Sequence, residues 1–165
     1  VYVRRTQFTI FFRIQNHCLK TKSKMATKST GDIEKTKSIE MKKKLNVLIV
    51  DDDPLNLKIH ERIIKTIGGI SQMAKNGEEA VIIHRDGRAS FDLILMDKEM
   101  PERDGVSTTK KLREMKVTSM IVGVTSLADR EEERRAFMEA GLNHCLAKPL
   151  TKEKILPLIN HLMDA

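Results

Sequence analysis

The chain has 165 residues, 40% hydrophobic and 32% charged, which suits one globular domain plus a tail. The formal net charge of +7 belongs to the tail: residues 1–44 hold 12 Lys/Arg against 3 Asp/Glu, whereas residues 45–165 carry a net −2, which disfavours a nucleic-acid-binding domain. No apolar run approaches the roughly 18 to 20 residues that span a bilayer, and two scattered cysteines, Cys18 and Cys145, exclude a disulfide framework or a thiolate metal site.

Residues 1–24 begin with Val1, lack acidic residues, and scatter Arg4, Arg5, Arg13, Lys20, Lys22 and Lys24 among Phe and Ile. Two readings compete: a transit peptide, or upstream sequence with Met25 as the true start. The second is expected, because a transit peptide should itself begin with Met. Residues 25–44 are rich in Lys, Thr and Ser and are expected to be disordered. The tail is thus 1–44 and the domain 45–165.

Asn46-Val47-Leu48-Ile49-Val50 reads as a buried strand running into Asp51-Asp52-Asp53-Pro54. Asp53 is an N-cap and Pro54 a first helical residue. Leu55, Ile59, Ile63 and Ile67 then recur at helical spacing until Gly68-Gly69. Ile70 to Ala74 is a weak second strand, Asn76-Gly77 a turn, and Glu78 to Arg85 a helix carrying Ala80, Val81 and Ile83 inward. Phe91 and Leu93 to Met96 form a third strand, apolar on both faces as in a parallel sheet, ending on Asp97. Pro101 and Gly105 punctuate the next loop. Val106 to Met115 is a helix, Met120 to Val124 a strand ending on Thr125-Ser126, and Glu131 to Ala140 a helix whose acidic start is read as solvated. Cys145-Leu146-Ala147 is a short fifth strand ending on Lys148-Pro149. Ile155, Leu158, Ile159 and Leu162 make the last helix amphipathic; Pro157 implies that it kinks or begins late.

Five βα units in alternation mean a parallel sheet covered by helices on both faces. The expected class is α/β, flavodoxin-like, with strand order 2-1-3-4-5. In such sheets ligands bind at the C-terminal ends of the strands. Four strands deliver polar residues there: Asp51 and Asp52, Asp97, Thr125, and Lys148. Taken singly, each has a bland role: a turn Asp, a helix cap, a surface lysine. Together, three carboxylates repel unless a cation joins them, and Mg²⁺ suits oxygen ligands of this kind. Lys148 adds a positive charge and Thr125 a hydroxyl donor. Cations and a donor around one carboxylate describe a phosphoryl site, with Asp97 as the nucleophile that forms an aspartyl phosphate.

Val50-Asp51-Asp52-Asp53-Pro54, Leu95-Met96-Asp97 with Met100-Pro101 and Asp104-Gly105, Val124-Thr125-Ser126 and Lys148-Pro149 together resemble the receiver domain of two-component response regulators. The resemblance covers residues 45–165. It implies that Asp97 accepts phosphate from a phosphohistidine, and that Asp51, Asp52, Asp97 and the backbone carbonyl of Glu99 ligate Mg²⁺. It implies that Thr125 and Lys148 contact the phosphoryl oxygens and that the Lys148–Pro149 bond is cis. Such a protein catalyses its own phosphorylation and dephosphorylation rather than turning over a separate substrate. Met96 to Gly105 and the Gly141 to Leu146 segment are similar to plant type-C response regulators, stand-alone receivers of the histidine-to-aspartate relay linked to cytokinin signalling. That similarity implies histidine-containing phosphotransfer proteins as donors, a phosphate-sink role, no DNA-binding output, a monomer, and a place in the cytoplasm, with the nucleus also open. Cys145 stands where receivers usually carry an aromatic switch residue, which suits a sink better than a relay; it is otherwise read as a small buried hydrophobe. Two alternatives remain. An independent Mg²⁺-dependent phosphohydrolase would want an acid/base Asp where Glu99 stands. An interaction-only receiver would be missing one of the site residues.

Overall fold

The structure, a computed structural model, describes residues 44–164 except 88, 127 and 129. The tail expected over 1–44, with Cys18 and Met25, lies outside the described residues save Lys44. The elements alternate as β1 (Asn46–Val50), α1 (Pro54–Thr66), β2 (Ile70–Ala74), α2 (Gly77–Arg85) and β3 (Leu93–Asp97). They continue as α3 (Gly105–Glu114), β4 (Met120–Thr125), α4 (Glu131–Glu139), β5 (His144–Ala147) and α5 (Lys152–Asp164). All neighbouring strands pair in parallel, in the order β2-β1-β3-β4-β5. This is the flavodoxin-like order expected from five βα units. No described helix is long and apolar enough to cross a membrane.

Side chains alternate between the two faces of the sheet because strand residues have a period of two. Leu48 and Val50 of β1 and Ile94 and Met96 of β3 pack with α2, α3 and α4 through Ala80, Val81, Leu112 and Phe137. Val47, Ile49, Leu93 and Leu95 pack on the other face with Leu57 and Ile64 of α1 and Ile155 and Ile159 of α5. Each such buried aliphatic side chain contributes about 1.5 to 3 kcal/mol. β2 is an edge strand with alternating exposure, which explains its weak apolar signal.

Two elements differ from the periodicity reading. In α1 the buried residues are Leu57, His60 and Ile64, while Leu55 and Ile59 point outward, 63% and 44% exposed. Ile63 and Ile67 only flank the core. In α5 the helix begins at Lys152 and Pro157 lies inside it. Pro157 is exposed, as is Glu153, the residue whose carbonyl a proline at 157 leaves without its helical donor.

Candidate phosphoryl-acceptor site

Each strand end has a local reason to place its polar residue. After β1 the chain turns sharply because Asp53 caps α1, its carboxylate accepting from the Leu55 amide at 2.8 Å. Pro54 then starts the helix. Asp51 is left behind at the sheet edge, buried to 1% exposure, while Asp52 points to solvent. Asp97 is the last residue of β3, 3% exposed. Thr125 ends β4 and is buried. Its carbonyl accepts the backbone N–H of Lys148 at 3.0 Å, which carries the β4–β5 ladder one step past Ala147. The Lys148–Pro149 bond is cis.

Lys148 Nζ lies 2.9 Å from Asp97 Oδ1 and 3.3 Å from Asp51 Oδ2. Asp97 Oδ1 also accepts the Lys98 amide at 2.9 Å. Asp51 Oδ1 accepts from the Asp53 amide at 3.0 Å and from Asn56 Nδ2 at 3.1 Å. Asp51 Oδ2, fully buried, receives no well-directed hydrogen bond and is paired with the Lys148 ammonium at 3.3 Å. One carboxylate oxygen from each of Asp51, Asp52 and Asp97 can lie within 4.8 Å of the others. A buried carboxylate oxygen without a directed hydrogen bond, beside two further carboxylates, fits the oxygen donor set of a hard divalent cation. Glu99 is exposed, two residues past Asp97.

Burial pushes the Asp97 carboxyl up to about 6. The bond to Lys148 and its charge oppose the rise, the Asp51 charge adds to it, and the Lys98 amide opposes it. Burial opposes the charge on Lys148, yet its bond to Asp97 and the charges of Asp97 and Asp51 outweigh that and raise its pKa. The site therefore holds an ammonium fixed on a carboxylate that is easily neutralised.

A family model described as the response regulator receiver domain matches residues 47–160. This chain belongs to the response regulator receiver family. The receiver is 87% identical over 142 residues to "Two-component response regulator ARR22" of Arabidopsis thaliana, covering 86% of this chain and all of that protein. It is 40% identical over 116 residues to "Two-component response regulator ORR41" of rice, covering 69% of this chain and 91% of that one. Among solved structures, the receiver domain of the Pseudomonas aeruginosa sensor histidine kinase PA1611 is 26% identical with a TM-score of 0.65, over 74% of this chain and 100% of that one. That domain has a magnesium ion coordinated in its active-site cleft. A CheX-CheY-BeF3-Mg+2 complex from Borrelia burgdorferi includes a chain 28% identical, with a TM-score of 0.65, over 72% of this receiver and 88% of that chain.

The structure thus gathers Asp51, Asp52, Asp97 and Lys148 at one edge of the receiver, with Thr125 at the neighbouring strand end. Sequence reading missed two partners. Asn56 supports Asp51 from one turn along α1; an Asn at the third helical position, one turn past an Asp pair, was the available signal. Lys98 reaches Glu133 in an ion pair, tying the residue after Asp97 to the first turn of α4. That acidic start, expected to be merely solvated, is therefore partly engaged, with Glu131 held by Arg134 as well. Cys145 is half-buried against the core, and burial raises its thiol pKa, as befits a small hydrophobe.

Proposed function

We propose that this receiver accepts a phosphoryl group on Asp97 from a histidine-containing phosphotransfer protein. The observation that carries the reading is the Lys148 ammonium held 2.9 Å from a buried carboxylate at a strand end, beside two more carboxylates. An Asp97 oxygen forms the O–P bond as the donor's P–N bond breaks. The imidazole nitrogen leaves with the bonding electron pair and takes up a proton from solvent. Lys148 and the Thr125 hydroxyl stabilise the equatorial oxygens as charge builds on them. Asp51, Asp52 and Asp97, with the Glu99 carbonyl, would hold Mg²⁺, which supplies further positive charge to the same oxygens.

The α1 surface supports a protein donor. Leu55 and Ile59 are large, apolar and exposed one turn apart, immediately after the Asp51–Asp53 edge. An apolar pair bordering the site is a natural rest for an incoming helix that carries the phosphohistidine. High identity to a plant response regulator supports a cytokinin-linked relay, and Cys145 in place of an aromatic ring supports a phosphate sink. Glu99, exposed two residues past Asp97, is the acid we expect to affect the water that hydrolyses the aspartyl phosphate. An unchanged phosphate lifetime in Glu99→Ala would remove that role.

The test is incubation of the full chain with a ³²P-labelled phosphotransfer protein and Mg²⁺. Wild type should strip label from the donor and Asp97→Asn should not. Prompt release as free phosphate supports the sink, whereas label persisting on the chain supports a relay. A donor left untouched by wild type would sink the reading.

A further inference from the structure

We propose that Lys154 is a positioning residue for this site: its ammonium holds the turn that presents Lys148 to Asp97. This deepens the phosphoacceptor reading above and rests on it. Lys154 Nζ donates to the carbonyl of Ala147 at 2.8 Å and to that of Pro149 at 2.8 Å, the residues on either side of Lys148. The Lys148 amide itself is fixed on the Thr125 carbonyl at 3.0 Å. Three hydrogen bonds therefore converge on three consecutive residues, and Lys154 supplies two of them.

The turn needs such a clamp. β5 has only four residues and lies at the sheet edge, so no further strand supports its exit. The ladder to β4 ends at the Thr125–Ala147 pair and the Lys148 amide. Beyond that point Leu150 anchors the chain in the core, and the stretch from Ala147 to Pro149 is left to Lys154 and the ion pairs of Lys148. Lys154 sits in the first turn of α5, where the helix dipole disfavours a cation. The helix does not explain it; the two carbonyls do. Lys148 must reach Asp97 and Asp51 with one flexible four-carbon side chain. Where its Nζ falls depends on where its backbone is held, and a displacement of about 1 Å is costly at a reacting centre.

The experiment uses the full chain with Lys154→Met, Lys154→Arg, Lys148→Ala and the Lys148→Ala/Lys154→Met double variant. Calorimetry measures affinity for Mg²⁺ alone and then for beryllofluoride, a phosphoryl mimic, at saturating Mg²⁺. Lys154→Met should weaken beryllofluoride binding about tenfold with Mg²⁺ affinity unchanged. Lys154→Arg should restore most of the loss, since guanidinium can serve both carbonyls. In the Lys148→Ala background, Lys154→Met should add no further loss, because the two residues act as one unit. Wild-type affinity in Lys154→Met would overturn the proposal. So would an equal loss of Mg²⁺ and beryllofluoride affinity that Arg does not rescue, or an undiminished effect in the Lys148→Ala background. Wild type that takes up no beryllofluoride would overturn the phosphoacceptor reading itself, and this proposal with it.

Discussion

Gly105 packs against the carbonyl group of Asp97 so closely that a Cβ there would collide with its oxygen and lie 2.9 Å from Lys98 Cα. The Gly105 amide donates to the Lys98 carbonyl at 2.9 Å, so the start of α3 is pinned to the strand end that carries Asp97. The colliding atoms are backbone and cannot rotate away. Gly105→Ala should therefore cost about 1 to 3 kcal/mol, read in urea melts, and should slow labelling of Asp97 by more than the unfolded fraction explains. A variant with wild-type stability and labelling would show that the loop yields freely.

The Asp97 carboxyl titrates near 6 in the folded chain against an ordinary 3.8, so folding favours its protonated form. Its contribution to stability is complete below about pH 4 and is lost as pH rises through about 6. In Mg²⁺-free buffer at pH 7.5, Asp97→Asn should stabilise the fold by up to about 3 kcal/mol. That gain should shrink as pH falls toward 4. Melts of both proteins across this range check the direction; a gain that grows on acidification would contradict it. If Asp97 is the phosphoacceptor, labelling should run the opposite way, rising with pH as its carboxyl ionises.

Asn56 holds one oxygen of Asp51 while the other is left facing Lys148. Removing the amide in Asn56→Ala leaves the Asp53 N–H as the remaining directed donor to that oxygen, so the carboxylate is held less firmly. Mg²⁺ affinity should fall about 10- to 100-fold, the usual cost of losing a group that orients a metal ligand. Calorimetric titration reads it directly. Unchanged affinity would assign Asn56 to helix packing alone.

Leu55 is largely exposed and Ile59 nearly half exposed, so polar replacements there should lower the melting temperature only modestly. If the pair seats the phosphotransfer protein, Leu55→Ser with Ile59→Ser should slow transfer from that donor by about tenfold or more. Labelling by a small donor such as phosphoramidate should not change. Equal effects on both donors would place the fault in the site and not in docking.

Much of this receiver was legible from the chain because the deciding signals are local. Short β-branched runs, the Asp53–Pro54 cap and the glycine stops are each set by nearest neighbours. Their alternation dictates a parallel sheet, and a parallel sheet dictates which strand ends share an edge. Asp51, Asp52, Asp97, Thr125 and Lys148 could therefore be grouped before any coordinates. Only tertiary structure decided the rest. The outward turn of Leu55 and Ile59 depends on how α1 is rotated against β1 and β3, which helical spacing alone leaves open. Pro157 is tolerated because the face of α5 it occupies is solvated, an exposure that no local pattern states. The 2.9 Å between Lys148 and Asp97 joins residues far apart in sequence, and the raised Asp97 carboxyl follows from burial. Burial and long-range distance are properties of the packed chain, and so is the clamp that Lys154 places around Lys148.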